Sequence, residues 1–136
     1  MKIYRKVLLI IQWIIFSALI FYFSSMPKVE FIPESLLSRD KLLHFIGFFF
    51  YGISTQLFIN TIFQNKKQAT KNIFVLIIGI IYPLSDEIHQ SYVPGRDSDI
   101  YDFLTDLVGI ILSLLIFTLI LKAFDKFKHS RNAKIS

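Results

Sequence analysis

Read for polarity alone, the chain alternates between long apolar blocks and short polar connections. Residues 7–23 are apolar apart from Gln12, Ser17 and Tyr22. Residues 42–63 form a second block carrying His44, Gln56 and Asn60; residues 73–84 form a third, and residues 103–121 a fourth, with Asp106 inside it. The blocks are apolar nearly all round, without the one-sided stripe of a soluble helix. About 20 apolar residues cross a bilayer core. The pattern predicts an all-α fold: an integral membrane bundle of four transmembrane helices, spanning about 6–24, 41–63, 72–90 and 102–122.

The third block is twelve residues, about 18 Å of helix against a core of roughly 30 Å. It must continue through residues 85–90, which carries Asp86 and Glu87 below the surface, where lone charges are costly. Pro83 is expected to kink this helix. The Val93, Pro94, Gly95, Arg96 run reads as a tight turn, with Pro at the second position and Gly supplying positive φ at the third. Asp99 or Asp102 is expected near the cap of the fourth helix, and Ser38 or Asp40 at the cap of the second. Asp102, Asp106 and Gly109 share one helical face, as do His44, Phe48 and Tyr51. Gly109 and Ser113 let a neighbouring helix approach closely, and Gln56, Asn60 and Gln64 form a polar stripe suited to interhelical hydrogen bonds. The first outer loop contains Val29, Phe31, Ile32, Leu36 and Leu37, an apolar set suited to a short interfacial helix.

Charge orients the bundle. Eleven of the fifteen Lys and Arg residues lie at the N-terminus, around Lys66 and after the fourth block, with one acid, Asp125. The other two connections hold Lys28, Arg39, Lys41 and Arg96 against nine acids. The positive-inside rule then places both termini and the Lys66 loop in the cytoplasm, with 123–136 as a basic, frayed cytoplasmic tail. The net charge of +5 is thereby a topology signal and an attraction to anionic lipid, not a nucleic-acid footprint. Lys2, Arg5 and Lys6 ahead of the first block have the layout of a signal peptide. A cut near Ser25 would put Phe23 or Tyr22 where a small residue is needed, so an uncleaved helix is expected. With 136 residues the chain is one domain, and its lack of cysteine removes thiolate chemistry and Cys-ligated metal.

Residues 85–109 hold six of the ten acids. Several motifs there and upstream resemble the VanZ-like family of small bacterial membrane proteins, named for a teicoplanin-resistance protein. FSSMP at 23–27 is similar to its first-helix exit, and DKLLHFIGF at 40–48 to its Asp-Lys-x-x-His-Phe-x-x-Phe pattern. DEIHQSYVPGR at 86–96 resembles Asp-Glu-x-x-Gln-x-Phe-x-Pro-Gly-Arg, with Tyr92 at the aromatic place. DFLTDLVG at 102–109 resembles Asp-x-x-x-Asn-x-x-Gly, with Asp106 where the pattern has Asn. Position 106 is therefore open between a neutral hydrogen-bonder and a charge. The resemblance implies a multi-pass fold of a bacterial inner or plasma membrane and a link to teicoplanin resistance. It implies no particular reaction.

The matched positions are Lys41, His44, Asp86, Glu87, Gln90, Arg96, Asp102 and Asp106, all expected at one level near the outer leaflet. Catalysis would fall to His44, Glu87, Asp86 and Asp102, since an imidazole beside a carboxylate is a general acid/base pair and Glu87 is a candidate base in an apolar setting. Lys41, Gln90, Arg96 and Asp106 would bind a substrate, the cations suiting a phosphate or carboxylate. Arg96 is expected to pair with an acid, and His44 to reach Asp86 or Glu87. Ser85 and Ser91 lack a nucleophile signature. His44, Glu87, His89 and the aspartates offer mixed N and O ligands to a metal, but no dense His/acid spacing is present, so no metal ligands are assigned and the cofactor stays unknown. Membrane lipids are the expected partners, with a cell-envelope precursor or a glycopeptide as further ones and no nucleic acid. Three readings stay open: an enzyme acting on a lipid-linked headgroup, a non-catalytic envelope-binding or resistance module, and a structural polar network.

Overall fold

The computed structural model describes residues 3–27 and 37–133, with the side chains at 37–40, 125, 129, 132 and 133 outside the description. Four helices follow one another: α1 (Ile3–Ser24), α2 (Leu37–Ile62), α3 (Gln68–Gln90) and α4 (Ile100–Ala133). Each contains a stretch long and apolar enough to cross a membrane. The expected interfacial helix of the first outer loop falls outside the described residues.

The start of α2 and the end of α4 differ from the sequence pattern, and the end of α3 follows it. α2 starts at Leu37, ahead of the apolar block, so neither Ser38 nor Asp40 stands at its cap. α4 continues to Ala133, so most of the basic tail extends the span as helix instead of fraying. Lys and Arg are good helix formers, and once the span exists each further residue adds a hydrogen bond without a new nucleus. α3 runs to Gln90 with Pro83 buried inside it, as the length of a membrane crossing requires.

The bundle is apolar outside and polar inside. Leu8, Ile81, Leu115 and Leu119 are exposed, whereas Ser54, Thr55, Gln56 and Ser113 are buried. Lipid tails are as apolar as leucine, so helices in a bilayer gain by close packing and hydrogen bonding instead. α2 and α4 share the most extensive interface. Gly109 makes it close: a Cβ there would sit 2.7 Å from the Phe45 carbonyl oxygen and 3.0 Å from the Phe49 nitrogen. Phe48, Tyr51 and Ile110 form the core beside it, flanked by Tyr82 and Trp13.

α1 is tied on by single hydrogen bonds. Gln12 Nε2 donates to Ser54 Oγ at 2.8 Å and Trp13 Nε1 to Thr55 Oγ1 at 3.0 Å. Tyr82 OH donates to the Ser17 carbonyl at 2.6 Å. The polar stripe bonds mostly locally: within α2, Gln56 to the Gly52 carbonyl and Asn60 to the Gln56 carbonyl, and just past its end Gln64 to the Thr61 carbonyl. Across helices, Gln56 donates to Ser113 Oγ, and Lys71 Nζ donates to Asn60 Oδ1.

Candidate functional site

The end of the bundle opposite the Lys66 loop gathers the polar side chains. α3 stops at Gln90, and the chain reverses at residues 93–96. Arg96 N–H bonds the Val93 carbonyl at 3.1 Å, and Gly95 has φ 74°, the positive angle the third turn position needs. The turn sends Arg96 back over α1. Its Nε donates to the Met26 carbonyl at 2.8 Å and its Nη2 to the Phe23 carbonyl at 3.3 Å. Its Nη1 donates to Gln90 Oε1 at 3.1 Å. A guanidinium here satisfies orphan carbonyls at the negative end of the α1 dipole. The expected pairing of Arg96 with an acid is thus corrected: its contacts among the described residues are one side-chain amide and two carbonyls.

Asp86 is buried one turn deeper. Its Oδ2 accepts from Ser24 Oγ at 2.8 Å and from Gln90 Nε2 at 3.0 Å. Ser25 Oγ lies 2.9 Å from His89 Nε2, and the His89 ring stacks on Phe21. Ser24 and Ser25 belong to this network, although their sequence context marks only the end of a helix. A serine pair closing an otherwise greasy span is the one signal that points to them.

On the α2–α4 side, Asp99 caps α4: its carboxylate accepts from Tyr101 N–H at 2.8 Å, a normal use of an aspartate ahead of a helix. Asp99 N–H in turn donates to Glu87 Oε2 at 2.9 Å. Lys41 Nζ bridges Asp99 Oδ2 at 2.8 Å and Asp102 Oδ1 at 2.7 Å. Lys41, not Arg96, is therefore the cation that meets the acids. His44 Nδ1 lies 3.1 Å from Asp106 Oδ1, with Asp106 fully buried and the His44 side chain 8% exposed. The imidazole bonds Asp106, one turn into the span, a partner the sequence reading did not name. Glu87 is close nonetheless: one ligand atom from each of His44, Glu87 and Asp106 lies within 4.8 Å of the others.

A cavity of about 380 Å³ lies between the end of α1 and the start of α2. His44, Asp86 and Arg96 line it together with apolar Ile20, Phe23, Leu43 and Phe48. Phe23 and Leu43 are exposed on the outside of the bundle, so the cavity joins charged groups to an apolar surface. All eight positions singled out in the sequence thus fall into one connected region, with Lys41, Gln90, Asp102 and Asp106 engaged by neighbours behind the cavity wall.

The family model VanZ/LLP1 matches residues 2–121. The chain belongs to the VanZ/LLP1 family. The match runs from the start of α1 well into α4, so this VanZ/LLP1 member carries the family pattern over nearly its whole length and is a multi-pass membrane protein. It is 31% identical over 78 residues to an uncharacterised protein of Schizosaccharomyces pombe, which covers 57% of this chain and 46% of that protein. The chain spans about half the length of the curated relative it matches. No solved structure matches it.

Proposed function

We propose that this VanZ/LLP1 protein takes the anionic headgroup of a cell-envelope lipid or lipid-linked precursor into the cavity, at the outer leaflet of a bacterial plasma membrane, and that His44 performs acid–base chemistry on it. The observation that carries the reading is the cavity itself: His44, Asp86 and Arg96 line it beside exposed, apolar Phe23 and Leu43. A lipid presents the same two chemistries, a charged head and an apolar stem. Arg96 uses three of its five N–H groups on protein acceptors, which leaves two for a phosphate or carboxylate. Asp106 holds the His44 ring from the side away from the headgroup, as a carboxylate orients an imidazole base. The eleven-to-four distribution of basic residues supports the outward orientation. Altered teicoplanin susceptibility would follow from a changed envelope precursor.

A network engaged this fully also fits a structural role, since Lys41, Asp86 and Gln90 each bond within the protein. One experiment separates the readings. Cells expressing wild type or H44Q, with folding of the purified variant checked in detergent, are compared by lipid mass spectrometry and by teicoplanin sensitivity. A lipid species that changes with wild type and not with folded H44Q supports chemistry. Unchanged lipids with altered sensitivity favour a binding module. No change in either, with H44Q merely less stable, leaves the structural role and defeats the proposal.

A further inference from the structure

Beside the cavity, which His44 lines, three side chains from three helices meet without a described cation to balance them. His44 comes from α2, Glu87 from α3 and Asp106 from α4, all three buried, with one ligand atom of each within 4.8 Å of the others. Glu87 uses Oε2 on the Asp99 N–H. Its Oε1 is buried and has no hydrogen-bond partner, in a residue only 3% exposed. A buried carboxylate oxygen left unpaired is expensive, several times the net worth of an ordinary hydrogen bond when charged. Among the described residues the nearby cations are spent elsewhere. Lys41 is held by Asp99 and Asp102, and Arg96 by Gln90 and two carbonyls.

We infer that His44, Glu87 and Asp106 bind a divalent first-row cation, Zn²⁺ or Mn²⁺. Two carboxylates and a neutral imidazole against a dication make an electrically neutral group, the form that low dielectric favours. Imidazole with carboxylate suits Zn²⁺, and carboxylate-rich sets extend to Mn²⁺. Ligands at about 2.1 Å from one ion in tetrahedral geometry stand roughly 3.4 Å apart, so the cluster draws in by at most about 1.4 Å to close on it. A carboxylate rotation covers that distance. The ion would displace the direct contact of His44 with Asp106 and satisfy Glu87 Oε1. Three protein ligands leave further coordination positions for water or a ligand oxygen. No spacing in the sequence signals the set, because its members are 43 and 19 residues apart and only the packing of α2, α3 and α4 brings them together.

The site shares His44 and Asp106 with the chemistry proposed above, but ion binding is measured without substrate, so its failure and the failure of that reading are distinguishable. The full chain, without a histidine tag, is purified in detergent, stripped with chelator and dialysed against Zn²⁺ or Mn²⁺. Elemental analysis should find one ion retained per chain. H44Q, E87Q and D106N, each shown by circular dichroism and a thermal melt to be folded, should weaken retention at least about tenfold, the loss that even outer-shell changes produce. D97N, an exposed acid outside the cluster, should retain the ion as wild type does. No retention by wild type, or equal retention by the folded variants, overturns the inference. If the variants do not fold, wild type decides alone: pulsed EPR of the Mn²⁺ form must show coupling to an imidazole nitrogen, and its absence overturns the site.

Discussion

Gly109→Ala tests the link between helix packing and the site most directly. The added Cβ would stand 2.7 Å from the Phe45 carbonyl oxygen, 3.0 Å from the Phe49 nitrogen and 3.4 Å from the Phe48 carbonyl carbon. Ordinary carbon contacts sit at about 3.5 to 4.0 Å, and all three neighbours are backbone. No side chain can swing aside, so α2 must move from α4 by roughly 0.7 Å or more. Overpacking of this kind costs about 1 to 3 kcal/mol. Phe45 follows His44, and Asp106 is one turn before Gly109, so the same displacement stretches the 3.1 Å contact of His44 with Asp106 toward the limit of a hydrogen bond, a further loss of about 1 kcal/mol. Gly47 is the internal control, because a Cβ there meets nothing within 4 Å. A membrane span stays helical before it packs, so helix propensity largely cancels and Gly47→Ala should fall within about 0.5 kcal/mol of wild type. The assay is reversible unfolding in mixed detergent micelles followed by the single tryptophan, Trp13, which stacks on Phe58 of α2. We expect Gly109→Ala to lose about 2 to 4 kcal/mol. Equal midpoints for the two alanine variants would refute the close-approach argument.

The other predictions concern the polar end and the topology. Lys41→Met removes the bridge between Asp99 and Asp102 and should destabilise by about 1 to 2 kcal/mol in the same assay, a figure held down because the Lys41 side chain is 39% exposed; Lys41→Arg should recover part of it. Ser24→Ala leaves buried Asp86 with one donor fewer and should cost about 1 to 3 kcal/mol, whereas Ser85→Ala, whose exposed hydroxyl bonds only within α3, should be near neutral. The chain has no cysteine, so single replacements report sidedness cleanly: in intact cells a membrane-impermeant maleimide should label Ser98→Cys and spare Lys67→Cys, and the reverse pattern would invert the orientation.

Several features are legible in the amino-acid sequence alone. The turn at residues 93–96 follows from Pro and Gly at fixed offsets, and it forms with Gly95 at φ 74°. The reach of α3 to Gln90 follows from bilayer thickness, and the tight seam at Gly109 from a small residue on the same face as Asp102 and Asp106. These are local or one-dimensional properties: apolar length, turn chemistry and helical period act within a few residues, and a long unbroken apolar segment in a membrane satisfies its own backbone only as a helix.

The partnerships are decided only by tertiary structure. Opposite charge suggests Arg96 with an acid, yet the turn delivers the guanidinium to the carbonyls ending α1 and leaves Lys41 to join Asp99 and Asp102. The face shared by His44, Phe48 and Tyr51 says nothing of which acid the ring meets; the α2–α4 seam chooses Asp106. Glu87 is visible in the sequence as a buried acid, but its unpaired oxygen is not, because that depends on where Asp99 N–H stops and α4 begins. The chain's polarity pattern sets depth and helical content, since those depend on each residue's own transfer energy. Which groups touch depends on helix rotation and separation, and these are settled by packing among residues far apart in the chain.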